Sequence, residues 1–171
     1  MSSPITVGGV LLRRAELTDA EAIRSIYNVE VTTSTHVFEL VPHTLEQQER
    51  WIRDRSGAHA AVVAVDDDGV VVGFGSLSPY RPRPAYSTTV EDSVYVHPDR
   101  QGAGAGKAIL AELLDLATAH GFHSVIGRIA DHNEASVALH RSLGFDEVGT
   151  EREVGRKFHR WIDVVVMQRL L

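Results

Sequence analysis

The sequence predicts one α/β domain over residues 1–171, in which helices flank a mixed sheet that is mostly antiparallel. The length fits a single domain, and the hydrophobic share of 43% is enough for one sizeable core. The predicted elements run strand, two helices, several strands, helix, strand, helix and two strands. This order lacks the regular strand–helix alternation of a doubly wound parallel sheet.

The chain begins with a predicted strand and an amphipathic helix. The apolar run VLLRRAEL over 10–17 is typical of a strand. Thr18 and Glu21 have the spacing of a capping box, in which each side chain binds a free backbone N–H of the other residue. This pair therefore predicts a helix over about 19–30.

A second helix and a hairpin follow. Thr44 and Gln47 repeat the capping-box spacing before the helical pattern LEQQERWIRDRS, which Gly57 can end. The next apolar runs, AAVVAV and VVVGFGSL, are separated by the turn residues DDDG. Two apolar runs joined by such a turn predict a β-hairpin.

The second half of the chain predicts strands that alternate with two helices. The proline-containing segment SPYRPRPAYS is expected to be a loop. The helix GAGKAILAELLDLATAHG is stopped by Gly121, and a shorter helix, NEASVALHRSLG, has Asn133 as its N-cap. The remaining runs predict strands: TTVEDSVYV, SVIGRIA, FDEVGTERE and RWIDVVVMQRL.

Composition excludes several functional classes. The formal net charge is −6, whereas general nucleic-acid binders are usually basic, so we expect no nucleic-acid partner. The chain has no cysteine, which excludes disulfides, a thiolate nucleophile and cysteine-type zinc sites. The nine histidines show no metal-site spacing such as H-E-x-x-H, and we expect no metal.

The predicted localisation rests on sequence features that are absent. No stretch approaches the roughly 18 apolar residues of a membrane span, so we expect no membrane partner. The start of the chain lacks the charged-then-apolar order of a signal peptide. Together with the absence of cysteine, this predicts a cytoplasmic protein.

The stretch DRQGAGAGKAIL combines three alternating glycines with a helix start. A P-loop would need glycine at Gln101 and Ser or Thr at Ala108. A dinucleotide fingerprint starting at Gly102 would need glycine at Lys107. Both motifs fail. The turn is then either an anion site, with free backbone N–H groups at a helix N-terminus, or a flexible connection without a ligand.

The flanking residues resemble a known superfamily. Gln101-x-x-Gly104-x-Gly106, directly after VYVHPD, is similar to the acyl-CoA pyrophosphate loop of the GCN5-related N-acetyltransferases (GNAT), and NEASVALHRSLGF resembles their next motif. The segments STHVFE, RPRPAYS, TVEDSVYVHPDRQGAGAGKAIL and VGTEREVGRKFHRWIDVVVMQ resemble the phosphinothricin and methionine-sulfoximine branch. His159 departs from that branch, which usually carries glycine there.

The resemblance implies a GNAT fold with acetyl-CoA as co-substrate. The turn would bind the CoA pyrophosphate, and the strand before it would bind the acetyl and pantetheine amides through backbone groups that two splayed strands leave free. Asn133 resembles a pantetheine contact, while its plain alternative is an N-cap. The implied cofactor-binding residues are Val94, Tyr95, Val96, Gln101, Gly102, Ala103, Gly104, Ala105, Gly106, Lys107 and Asn133.

Two residues are implied as catalytic. Glu91 stands on the strand before the turn, where the family keeps its acid, and would take the proton of the amine, through water or beside a second group. His140 stands on the helix that Asn133 caps and would assist the amine or protonate the leaving thiolate. The plain alternatives are a solvated strand-end Glu and a surface His.

The resemblance also implies an acceptor pocket, lined by Phe38, Arg81, Arg83 and Tyr86, because arginine forks suit both ends of a zwitterionic amino acid with a polar tetrahedral head. We therefore predict an acetyl-CoA-dependent N-acetyltransferase for a small glutamate-like amino acid, probed first with phosphinothricin, methionine sulfoximine and methionine sulfone. Direct transfer in a ternary complex is expected, since there is no cysteine to carry the acetyl group.

Alternatives stay open at this point. The acceptor could be another amine, such as a polyamine, an aminoglycoside or a protein N-terminus. The chain could also be an acyl-CoA-binding module without catalysis. The family suggests a homodimer.

Overall fold

A continuous sheet of eight strands forms the centre of the computed structural model, which describes residues 5–7 and 9–171. In space the order is β1-β2-β3-β4-β5-β6-β8-β7. Among the described residues every neighbouring pair is antiparallel except β5 and β6, which are parallel. The strands are β1 Ile5–Val7, β2 Val10–Arg14, β3 Ala61–Val65, β4 Val71–Pro79, β5 Thr89–Val96, β6 Ser124–Ala130, β7 Asp146–Lys157 and β8 Arg160–Leu170.

The helices lie on both faces of this sheet, which confirms the predicted α/β class. They are α1 Ala20–Thr33, α2 Leu45–Arg53, α3 Ala105–Ala119 and α4 Glu134–Ser142. Along β3, Val62 and Ala64 pack in the core that includes α3, whereas Val63 and Val65 pack with α1 and α2. This alternation follows from the two-residue period of a strand and divides the molecule into two layers of core.

The second predicted capping box is confirmed and the first is wrong. At α2, the Gln47 N–H donates to Thr44 Oγ1 at 3.2 Å and the Thr44 N–H donates to Gln47 Oε1 at 2.8 Å. Before α1 the chain makes a 3₁₀ turn, and the Glu16 N–H donates to the Asp19 carboxylate at 2.8 Å. Asp19 also binds Arg13, so this carboxylate, and not the Thr18–Glu21 pair, organises the start of α1.

Other element ends differ from expectation by a few residues. Helix α2 ends at Arg53, before Gly57, which lies in the following turn with φ +58°. The strand expected over FDEVGTERE continues to Lys157. It turns into β8 through Phe158 and His159, whose φ values are +49° and +62°. Left-handed backbone at His159 explains why a glycine suits this position.

Two glycines in β4 bring α3 close to the sheet. A Cβ atom at Gly75 would lie 2.5 Å from Cγ2 of Ile109, and one at Gly73 would lie 3.0 Å from Cδ1 of the same side chain. Because α3 sits this low, its first turn lies beside the end of β5, where Gly106 faces Val94 and Val96.

The parallel pair β5–β6 separates halfway along. Thr89–Asp92 pair with Ser124–Gly127, and beyond this point the two strands share no ladder. The later part of β6 pairs only with β8, and β5 continues beside β4. The sheet therefore has an opening in its middle, where residues 93–96 have no strand partner on the side facing away from β4 among the described residues.

Two further observations hold for the described ranges. No helix in them has both the length and the apolar character needed to cross a membrane. Their His, Asp and Glu side chains form no group of three or more that could hold a metal ion.

Candidate active site

Two cavities meet where β5 and β6 separate. The larger, of about 670 Å³, extends from the N-terminus of α3 along the free end of β5 to α4, and we call it the glycine-turn cavity. The smaller, of about 330 Å³, lies between the sheet and the α1–α2 side, and we call it the α1–α2 cavity. Both are lined by His36, Ser93, Tyr95, Arg128 and Ala130. Ligands in the two cavities can therefore touch at this junction.

The glycine-turn cavity collects almost every residue expected to bind the co-substrate. Ala103 is not among its lining residues. Asn133 lies there and also caps α4, since the Ser136 N–H donates to its Oδ1 at 3.2 Å, so both expected roles are compatible with its position. The predicted residues that line the cavity are Val94, Tyr95, Val96, Gln101, Gly102, Gly104, Ala105, Gly106, Lys107 and Asn133.

The turn before α3 is held by left-handed glycines. Gly102 has φ +79° and Gly104, the N-cap of α3, has φ +92°. The first N–H groups of a helix have no partner within it, and the helix dipole adds positive potential at this end. With Lys107 also in the lining, this end of the cavity suits a polyanionic group such as a diphosphate.

Gly104→Val is expected to raise the dissociation constant of acetyl-CoA at least about tenfold. Left-handed backbone disfavours a β-branched residue, so the turn changes and its N–H groups no longer point toward the diphosphate. The measurement is calorimetric titration. Gly121→Val is the matched control, since Gly121 has φ +77° beyond the other end of α3 and lines neither cavity. Equal affinities in the two folded variants would contradict this assignment of the turn.

The α1–α2 cavity is walled by aromatic rings. Tyr27 and Tyr95 meet edge to face at 5.2 Å between centroids, and Phe74 stacks on Tyr95 at 5.0 Å. Trp51 of α2 meets Phe74 at 5.9 Å. Such a wall is apolar and rigid, so the few charged side chains in it, described below, determine which ligand the cavity suits.

Phe38 lines the α1–α2 cavity. A glycine in β7 makes room for it, because a Cβ atom at Gly155 would lie 2.5 Å from Cζ of the Phe38 ring. The buried Lys157 fixes the same loop, since its Nζ donates to the Val37 carbonyl at 2.9 Å. Strand β7 thus holds one wall of the cavity in place, although Lys157 and Val37 are 120 residues apart in the sequence.

The other three residues expected to bind the acceptor lie outside the lining of both cavities. Arg81 packs its guanidinium over the rings of Tyr80, at 4.9 Å, and Tyr86, at 5.7 Å. Arg83 precedes the 3₁₀ turn Pro84–Tyr86 and is exposed. The arginines that do line the α1–α2 cavity are Arg55 and Arg128.

Glu91 faces the α1–α2 cavity and is half-buried, unlike a solvated strand-end Glu. Burial raises its carboxyl pKa above the usual value, the charge of Arg128 opposes this, and the charges of Asp92 and Glu151 add to it. A raised pKa makes the carboxylate a stronger base, which favours proton transfer from an amine near neutral pH.

Arg128 and Glu151 form an ion pair, and removing the charge of either one should shift the Glu91 pKa in opposite directions. Arg128→Gln removes the charge that lowers the Glu91 pKa, so the acidic limb of kcat/KM should move to higher pH. Glu151→Gln removes a charge that raises it, so the limb should move to lower pH. The midpoint is read from pH–rate profiles of both variants. Movement in one common direction would disconnect this limb from Glu91.

His140 lies on the opposite face of the sheet from Glu91. It is only 4% exposed, with Nε2 at 3.0 Å from Asp92 Oδ2 and Nδ1 at 2.7 Å from the Ser136 carbonyl oxygen. Since Asp92 and Glu91 are neighbours in β5, their side chains point to opposite faces. The structure therefore brings Glu91 and His140 to different cavities, with His140 in the glycine-turn cavity.

The His140 ring is held by oxygen atoms at both nitrogens. Burial lowers the pKa of the imidazole, but the hydrogen bond and charge of Asp92 and the Ser136 carbonyl outweigh it, so the pKa lies above the usual value. Gly127 makes room for the ring, because a Cβ atom there would lie 2.8 Å from its Cδ2. The pair thus holds a proton between Nε2 and the carboxylate.

Sequence reasoning missed several residues of this site. Asp92 carries a sequence signal, since it follows Glu91 in a strand and must face the other way. Tyr27 and Arg55 carry none, because an aromatic residue or an arginine in or beside a helix is usual on any amphipathic surface. His36 lies in an irregular loop, and only the fold brings its Nδ1 to 3.3 Å from Nδ2 of Asn133.

Comparison with known proteins finds relatives over most of the chain. The sequence model of the Acetyltransferase (GNAT) family matches residues 21–145. The chain is 38% identical over 159 residues to the L-methionine sulfoximine/L-methionine sulfone acetyltransferase of Pseudomonas aeruginosa, covering 92% of each protein. It is 39% identical over 156 residues to the phosphinothricin N-acetyltransferase of Streptomyces coelicolor, covering 90% of this chain and 91% of that protein.

A solved structure is similar over nearly the whole chain. It is a GNAT superfamily phosphinothricin acetyltransferase from Sinorhizobium meliloti in complex with AcCoA, with a TM-score of 0.92 and 37% identity. The alignment covers 95% of this chain and 89% of that one.

Proposed function

Because this chain belongs to the acetyltransferase (GNAT) family, we propose that it transfers the acetyl group of acetyl-CoA to the α-amino group of a small glutamate-like amino acid. One observation carries the proposal. The sheet opens between β5 and β6, with an amide-rich turn in the cavity on one side and a half-buried carboxylate, Glu91, in the cavity on the other.

In this proposal acetyl-CoA occupies the glycine-turn cavity. The diphosphate binds the N–H groups of the turn, while the pantetheine amides bind backbone groups of residues 93–96 on the side facing away from β4, in the manner of an added strand. The acetyl group then reaches the junction with the α1–α2 cavity, beside Ser93 and Tyr95. Holding both reactants at one junction supplies much of the rate enhancement.

The amine attacks the thioester directly in the ternary complex, since the chain has no cysteine to carry an acetyl group. Glu91 accepts the proton of the ammonium, directly or through one water, before attack. The tetrahedral intermediate then loses its second N–H proton, the C–S bond breaks, and the departing CoA thiolate takes up a proton. We propose that His140 supplies the proton that the thiolate takes up, because His140 lies in the co-substrate's cavity and shares a proton with Asp92.

The acceptor class rests on similarity and on the site. The two relatives described above are named for small amino-acid substrates with a tetrahedral head group. Phe38 belongs to the acceptor wall, and we keep Arg81, Arg83 and Tyr86 as candidates in the neighbouring loop.

A cytoplasmic homodimer without nucleic-acid or membrane partners completes the proposal. Exposed apolar side chains on β7 and β8, Val148, Val154 and Trp161, support the self-association.

The test is turnover measured by release of free CoA thiol. The panel contains L-phosphinothricin, L-methionine sulfoximine and L-methionine sulfone, set against a polyamine, an aminoglycoside and a peptide N-terminus. We expect turnover with the amino acids only. Preference for a cationic amine would instead point to Glu39 and Glu91 as its partners in the cavity. Acetyl-CoA binding without thiol release for any amine would indicate a non-catalytic module.

A further inference from the structure

We infer that Arg55 binds the anionic head group of the acceptor in the α1–α2 cavity and thereby selects acidic amino acids over neutral ones. This inference rests on the proposed function and names the residue that sets the substrate class. The residue follows α2 and lines the cavity together with Trp51 and Glu91.

The guanidinium of Arg55 is fixed in place by neutral groups. Its Cζ lies 3.8 Å above the Trp51 ring centroid. Its Nη1 donates to the Trp51 carbonyl at 3.4 Å, and its Nη2 donates to Ser78 Oγ at 3.3 Å. Its Nε is buried and has no hydrogen-bond partner among the described residues. These long bonds and the stacked ring orient the fork but leave donors unsatisfied.

Arg55 is also the cavity's unpaired cation in the described part of the chain. The other lining arginine, Arg128, forms an ion pair with Glu151, whereas no carboxylate of the described residues lies within 4.0 Å of the Arg55 guanidinium. Burial lowers its pKa to about 10, with Asp54 opposing, so it keeps its charge at neutral pH. A half-buried, unpaired guanidinium gains most from an anion that supplies two oxygen atoms.

The position of Arg55 relative to Glu91 matches a small amino acid. Ser78, which contacts Arg55, is the cross-strand partner of Glu91 in the β4–β5 ladder. Side chains of such a pair lie on one face with Cβ atoms about 4.5–5.5 Å apart. An acceptor with its amine at Glu91 can therefore place an anionic group a few bonds away on the Arg55 fork.

The experiment compares two acceptors that differ in head-group charge: L-phosphinothricin, which is anionic there, and L-methionine sulfone, which is neutral. Arg55→Met should raise KM for phosphinothricin at least roughly thirtyfold, since a desolvated charged contact is lost. KM for the sulfone should change no more than about threefold, because its neutral head group makes no charged contact with Arg55. Arg55→Lys should give an intermediate loss, because it keeps the charge without the fork.

Arg53→Met is the matched control, since Arg53 lies in α2, is exposed and pairs with Glu49 on the surface. It should leave both KM values and the acetyl-CoA affinity unchanged. Thermal unfolding of each variant shows whether it is folded. An equal rise of KM for both acceptors, or no rise for either, would overturn the inference. So would a selective loss for phosphinothricin in Arg81→Met or Arg83→Met but not in Arg55→Met.

Calorimetric titration of L-phosphinothricin into the CoA-loaded protein separates this inference from the proposed reaction. If wild type binds the acceptor without turning it over, the reaction fails, and weaker binding to Arg55→Met still supports the role of Arg55. If wild type does not bind L-phosphinothricin, the Arg55 inference is wrong, even where other amines are acetylated.

Discussion

Glu91→Gln is expected to lower kcat for amino-acid acetylation by roughly 10²–10⁴-fold, the usual contribution of general acid–base catalysis. Glutamine keeps the shape and hydrogen bonding of the side chain but cannot accept the proton of the ammonium. The residue is half-buried, so bulk water does not simply replace it. Steady-state rates with saturating acetyl-CoA across the pH range measure the effect. The acetyl-CoA affinity should stay unchanged, because Glu91 lines only the α1–α2 cavity.

Glu147→Gln is a suitable control for this variant, since Glu147 lies on β7 as an exposed carboxylate that pairs with Arg141 on the surface. It should retain wild-type kcat. Near-wild-type kcat in Glu91→Gln at every pH would remove Glu91 from the mechanism. Positioning of an already neutral amine, or proton transfer through His140, would then be the better account.

The second large effect concerns stability. Asp92→Asn is expected to lower the free energy of unfolding by roughly 3 kcal/mol, at the lower end of the range for breaking a buried ion pair, because the imidazole can lose its proton. The side chains of Asp92 and His140 are only 1% and 5% exposed, so water cannot replace the lost partner. Urea unfolding followed by circular dichroism measures the difference from wild type.

The pH dependence of that difference has a defined sign. The pKa of His140 in the folded protein is raised above its unfolded value of about 6.5. The contribution of the pair is therefore complete below about pH 6.5 and is lost as the pH rises through the higher folded pKa. The gap between wild type and Asp92→Asn should be largest near pH 6 and should shrink toward pH 9. A gap that grows with pH would contradict the charged pair.

Two of the local cap signals in this sequence are confirmed and one is wrong. Thr44 and Asn133 each bind an N–H three residues on, so a short window contains the whole cap. The glycine turn also predicts an anion site from consecutive residues, and this stays a prediction. The Thr18–Glu21 box does not form although its spacing is right. The Asp19 carboxylate instead accepts from the Glu16 N–H and from Arg13 just before α1.

Long-range features could not be predicted from the residues alone. The place of Arg55 depends on Ser78, which is 23 residues away on another element. The sequence left open whether His140 assists the amine together with Glu91 or protonates the thiolate, and the structure brings the two residues to different cavities. The resemblance to a family suggested candidate residues, and alternation along β5 shows that Glu91 and Asp92 face opposite ways, but which helices cover each face is known only from the fold.

The separation of β5 from β6 also bears on how long the protein survives in a cell. If acetyl-CoA fills that gap, it binds the folded chain and not the unfolded one, and at a hundredfold excess over its dissociation constant it adds about 2.7 kcal/mol to stability. Proteases that degrade transiently opened molecules would then remove the protein faster when acetyl-CoA is scarce. The abundance of the enzyme would thus follow the supply of its own co-substrate, without any dedicated regulator.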